Sequence, residues 1–122
     1  MGVYVFRSRH APWIKVGHHK ITPSRPNVYY RVARRGFYSC VHPDELKGRL
    51  SIDDVELVAW YPTLNRRHET RLHKACRRRI GEFHPLEDLD GALSHADTLG
   101  VRSPVSDADL KEALAWAGGP NV

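Results

Sequence analysis

Long apolar runs are missing from this sequence of 122 residues, and a membrane-spanning helix would need about 18 to 20 apolar positions in succession. A soluble protein is therefore expected. Cysteine is scarce as well: Cys40 and Cys76 are the whole complement. Two are too few for a disulfide framework, and their setting among histidines and basic residues suits a reducing interior. The N-terminal segment lacks the basic n-region, apolar h-region and small-residue cleavage site of a secretory signal, so the expected compartment is the cytoplasm. Repeats and low-complexity tracts are absent, and the length suits one domain with one modest core.

What the chain does have is positive charge, unevenly placed. Residues 1–85 carry 17 Lys or Arg against 7 Asp or Glu, a balance of +10, while residues 86–122 carry 2 against 7, a balance of −5. A basic body with an acidic tail creates a field that attracts a polyanion, since each neutralised phosphate releases condensed counterions. Arginine greatly outnumbers lysine, and its planar fork matches a phosphate bidentately. Nucleic acid is thus favoured over a solvated surface with no partner.

Alternation in Gly2–Arg7 and again in Trp13–Gly17, across the polar Ser8–Pro12 connection, predicts an antiparallel hairpin. His18–Pro26 reads as a loop leading to Asn27 as N-cap of a short helix Val28–Arg35, closed by Gly36. Phe37–Val41 suits a short extended stretch, and Pro43–Lys47 one or two helical turns. Val55–Tyr61 is β-branched and aromatic enough for a central strand that Pro62 stops. Asn65–Ile80 has the spacing of the longest helix, with Gly81 ending it, and Glu82-Phe83-His84 suits a brief return to the sheet edge before Pro85. The tail predicts helices over Leu89–Leu99 and Asp107–Trp116, the last capped by Ser106. It is too short and acidic to grip DNA alone, and the choices left are packing on the body, joining subunits or shielding the basic surface.

Helical spacing places Glu69, Leu72, His73 and Cys76 on one stripe. An acid facing inward on so basic a helix suits a divalent cation beside a bound phosphate; a salt bridge to Arg66 or Arg31 explains it equally well. Tyr4 alternates onto the face of Gly2 and Phe6, where an ordinary core tyrosine is the default meaning. Lys15 can share that face, and a nearby cation would favour ionisation of the phenol.

Gly2-Val3-Tyr4, then Lys15-Val16-Gly17-His18, then Tyr30-Arg31-Val32-Ala33-Arg34-Arg35, then His68-Glu69-Thr70-Arg71-Leu72-His73, in that order and spacing, resemble the GIY-YIG nuclease superfamily over Gly2–Pro85. The resemblance implies an α/β (α+β) fold: a small three-stranded antiparallel or mixed sheet flanked by helices, here with a helical acidic C-terminal tail. It divides the chain into a nuclease domain over 1–88 and an extension over 89–122. It further implies a DNA endonuclease with one Mg²⁺ or Mn²⁺ held by Glu69, Tyr4 accepting a proton from the attacking water, and Arg31 neutralising the scissile phosphate. Lys15 stands where the second motif has tyrosine, and would orient Tyr4 or lower its pKa. His18 would add a phosphate or leaving-group contact, and Arg25 competes with Arg31 for its role. Arg25, Arg34, Arg35, Arg66 and Arg71 are the expected DNA contacts.

Two rivals use the same residues differently. Cys40-x-His42 and His73-x-x-Cys76 offer four ligands of types that zinc takes. A DNA-binding module keeping the fold without cleaving would need the arginines but not an inward carboxylate that repels phosphate.

Overall fold

The computed structural model describes residues 2–19 and 41–106, with Ala108, Lys111, Glu112 and Ala115 beyond them. The expected helix Val28–Arg35, the stretch before Val41, and with them Arg25, Arg31, Arg34, Arg35 and Cys40, lie outside the described residues. Of the expected last helix, Ala108, Lys111, Glu112 and Ala115 are helical.

Strands β1 (Gly2–Ser8) and β2 (Trp13–His19) form the expected hairpin, with Tyr4 opposite Gly17 and Val5 opposite Val16. The Ser8 hydroxyl accepts the backbone N–H groups of His10 and Ala11 and so closes the polar connection. Strand β3 (Val55–Tyr61) pairs antiparallel with β1, and β4 (Phe83–Pro85) with β2. Among the described residues the sheet therefore has four strands, in the order β3-β1-β2-β4, rather than three. The α+β class stands.

Among the described residues strand β3 is at the sheet edge, not its centre. It reads as central because both its faces are covered. A bulge leaves Val58 unpaired between the Val5–Ala59 and Phe6–Leu57 pairs. The extra residue turns Leu57 and Trp60 to one face and Ala59 and Tyr61 to the other, so the two core clusters share the strand. Its free edge is partly occupied by Ser103, whose N–H donates to the Trp60 carbonyl at 2.7 Å.

Helix α1 (Arg66–Ala75) opens on Asn65, whose side chain accepts from the N–H groups of Arg67 and His68. It was expected to run to Ile80 but stops five residues earlier, for a tertiary reason. A continuing helix would point the Arg77 N–H at the His73 carbonyl; instead it donates to Asp88 Oδ2, and Cys76 N–H takes the His73 carbonyl. Gly81 thus does not end the helix. With φ of +60° it forms, with Glu82, a two-residue turn between Ile80 and Phe83, which exchange both backbone hydrogen bonds. The helical turn expected over Pro43–Lys47 is a single 3-10 turn, Asp44–Leu46.

Helix α2 (Leu89–Leu99) packs on the body: its Ala92 and Ala96 are buried with Leu72 of α1 against Val3, Val5, Ile14 and Val16. The opposite face is covered by Leu46 and Leu50 from the segment before β3. Among the described residues no helix is long and apolar enough to cross a membrane.

Candidate functional site

Alternation puts Tyr4 and Lys15 on one face of the sheet and His18 on the other. What joins the two faces is the end of β2. Strand β4 accompanies β2 only over Trp13–Lys15, so among the described residues no strand pairs with that edge beyond Val16. At Gly17 there is no side chain, and the Tyr4 ring lies in its place: a Cβ built there would stand 2.5 Å from both Cζ and Oη of Tyr4. The phenol can cross β2 there because residue 17 is glycine.

At that edge Lys15 Nζ donates to Tyr4 Oη at 2.9 Å and to Glu82 Oε2 at 2.6 Å. Lys15 is only 4% exposed, and a buried ammonium requires such partners. Burial alone would lower its pKa, but Tyr4 and Glu82 outweigh that and leave it above the ordinary lysine value. With the phenol neutral, the Glu82 ion pair is the part that operates. Tyr4 differs from the expectation that a neighbouring cation would favour its ionisation. Burial raises its pKa more than Lys15 lowers it, and the negative charges of Glu82 and Glu69 add to the rise.

Glu69 arrives from α1 and is 6% exposed. Its Oε1 lies 2.7 Å from His18 Nδ1 and its Oε2 lies 3.3 Å from His73 Nε2. Burial would raise its pKa, but the two histidine hydrogen bonds prevail and it stays below the ordinary glutamate value. Neither of these partners is Arg66, which is exposed with Arg71 on the outer side of α1.

Behind Glu69 the hydrogen bonds dictate a proton arrangement, since ring tautomers follow from their partners. His84 Nδ1 meets the Arg78 carbonyl and must donate. Burial, helped by the charges of His73 and Arg79, outweighs the Arg78 carbonyl and Asp88, which favour the charged ring, and leaves the His84 pKa below its ordinary value, so the neutral ring is favoured. Its Nε2 then accepts from His73 Nδ1 at 2.6 Å. An ionised Glu69 can only accept, so His73 Nε2 donates to it. Glu69 is thereby held by a ring that is itself anchored through His84 to the backbone.

Comparison of the chain with protein-family models, with curated proteins and with solved structures returns no match. The side-chain geometry is therefore what bears on function. That geometry brings Tyr4 into contact with Lys15, and His18 into contact with Glu69. It also sets Glu69 close enough for its charge to act on the Tyr4 phenol.

Glu82, His73 and His84 complete the arrangement. The cleavage site expected from the sequence contains none of the three. The i, i+4 spacing of Glu69 and His73 was a usable signal; Glu82 had none, because only the Gly81-Glu82 turn delivers it to Lys15. The zinc alternative needs Cys40, which lies outside the described residues; among those described, Cys76 groups with His84 and Asp88. Burial, then Asp88, push the Cys76 thiol up to about 11. For a hard divalent cation Glu69 fits. It is ionised, and among the described residues each oxygen has one hydrogen bond, which leaves lone pairs for a metal.

Proposed function

We propose that this protein is a divalent-metal-dependent endonuclease that hydrolyses DNA phosphodiester bonds, with Glu69 as the ligand of a single Mg²⁺ or Mn²⁺. The observation that carries the reading is the ionised, doubly hydrogen-bonded Glu69 within electrostatic reach of the Tyr4–Lys15 hydrogen bond, at a strand edge beside a basic helix. A buried carboxylate among arginines has little use in a module that only binds phosphate. The cation, when bound, supplies charge that acidifies a coordinated water and offsets charge building on the phosphate.

The chain's own residues divide the remaining work. His18 and His73 fix both oxygens of Glu69, so its carboxylate is set in one orientation. Lys15 donates to Tyr4 Oη and meets the negative charge that appears there when the phenol gives up its proton. Proton acceptance from water belongs to that phenolate form, which the raised pKa makes scarce at neutral pH. Glu82 keeps Lys15 charged. Arg31 is assigned the scissile phosphate, and Arg66 and Arg71, on the exposed side of α1, the flanking backbone. The reading places the protein in the cytoplasm, where the free Cys76 stays reduced.

The test is nicking of supercoiled plasmid with Mg²⁺ or Mn²⁺ by wild type, Glu69→Ala and Tyr4→Phe. Cleavage is expected to fall on the order of 10² to 10⁴-fold in each variant, with DNA binding retained by Glu69→Ala. Equal nicking by all three proteins sinks the site, and binding with no nicking by wild type leaves a DNA-binding module.

A further inference from the structure

Behind the Glu69 site, Cys76, His84 and Asp88 arrive from three places: the C-cap of α1, strand β4 and the residue that begins α2. One ligand atom from each lies within 4.8 Å of the others. Asp88 is the informative member. It is 8% exposed and stands at the N-cap of α2, where an aspartate ordinarily accepts N–H groups of the first turn, yet its side chain makes no cap hydrogen bond. It is turned back toward α1, where Oδ2 accepts the Arg77 N–H at 3.1 Å. Among the described residues Oδ1 has no hydrogen-bond partner, an expensive condition for a buried carboxylate oxygen.

The three side chains converge on a single short stretch of backbone. Asp88 holds the Arg77 N–H, His84 Nδ1 holds the Arg78 carbonyl, and Cys76 precedes both. We propose that Cys76, His84 and Asp88 bind a Zn²⁺ ion that ties α1, β4 and α2 together. Thiolate sulfur, imidazole nitrogen and carboxylate oxygen together are a donor set zinc takes and Mg²⁺ does not. Thiolate and carboxylate cancel the ion's charge, which makes burial tolerable.

Zinc ligands bonded at about 2.0 to 2.3 Å lie roughly 3.3 to 3.8 Å apart, so the group contracts by about 1 Å on binding. His84 exchanges its bond to the Arg78 carbonyl for the metal, the thiol proton and the His84 Nδ1 proton leave to solvent, and water takes the fourth position. The hydrogen between His73 Nδ1 and His84 Nε2 passes to Nε2, which then donates to His73.

Protein made without a polyhistidine tag, in chelator-free buffer, is assayed for metal by elemental analysis; after chelation it is titrated with Co²⁺ and followed by the thiolate-to-cobalt charge-transfer band. Expected are about one zinc per chain and the band in wild type and Cys40→Ser, with both lost in Cys76→Ala and Co²⁺ affinity down at least tenfold in Asp88→Asn. Zinc in roughly 100-fold excess over its Kd raises the melting temperature of wild type by roughly 10 °C. Wild type without zinc and without the band overturns the proposal, and needs no variant to fold. So does a band that survives Cys76→Ala and disappears in Cys40→Ser. None of these readouts depends on DNA cleavage.

Discussion

Gly17→Ala isolates the feature that lets the two halves of the site meet. The backbone of Gly17 is not in the left-handed region, where the positive φ angles belong to Gly48 and Gly81, so alanine adopts its conformation without strain. The cost is steric. The new Cβ would stand 2.5 Å from Cζ and Oη of Tyr4 and 2.9 Å from Cε1. Ordinary contact needs about 3.5 Å or more, so the phenol must retreat by about 1 Å. The Lys15–Tyr4 hydrogen bond, 2.9 Å long, then opens beyond bonding distance. Overpacking of this kind costs about 1 to 3 kcal/mol, read as a drop of several degrees in melting temperature. A catalytic group misplaced by about 1 Å costs on the order of 10²-fold in rate. Single-turnover plasmid cleavage measures that loss, with Tyr4→Phe and the double variant completing a cycle. If Tyr4 is what the methyl displaces, the two losses overlap and the double variant is little worse than Tyr4→Phe alone. Gly17→Ala at the wild-type rate, or losses that simply add, refutes the reasoning.

Replacing Arg66 and Arg71 by alanine weakens DNA binding about equally for all sequences and reduces the salt slope of log K by about one per arginine, as fluorescence anisotropy over a salt series will show. Because the Tyr4 pKa is raised, the phenolate fraction at neutral pH is small. The logarithm of kcat/KM at saturating metal should climb with a slope of about one from pH 7 toward pH 9, and a flat profile excludes Tyr4 as the base. Asp54 accepts from both the N–H and the hydroxyl of Ser51 and pairs with His10. Burial opposes its ionisation, but the Ser51 and His10 hydrogen bonds outweigh it and leave its pKa below the ordinary 3.8. A depressed folded-state pKa stabilises above the unfolded value and stops doing so as pH falls through the folded one. Asp54→Ala is therefore expected to cost about 1 kcal/mol at pH 7. That difference shrinks below pH 3.8 in urea titrations; an unchanged difference at pH 2.5 counts against the cap.

Elements whose information is local were legible in the sequence. The β1–β2 hairpin follows from period-two alternation across a polar connection, the start of α1 from Asn65, and α2 from its apolar spacing. The inward place of Glu69 follows from helical geometry alone, as does the shared face of Tyr4 and Lys15 from strand geometry. Tertiary structure decided what depends on partners far along the chain. Helix α1 stops at Ala75 because Asp88, 11 residues beyond Arg77, takes the hydrogen bond that would have continued it. Among the described residues strand β3 lies at the edge, though its composition suits a centre, and a bulge lets this one strand serve both cores. Glu82 reaches Lys15 only through a turn whose shape depends on Gly81. Even the sign of the Tyr4 shift was beyond sequence, since a neighbouring lysine is readable from alternation but the depth of burial that outweighs it is a property of the assembled fold.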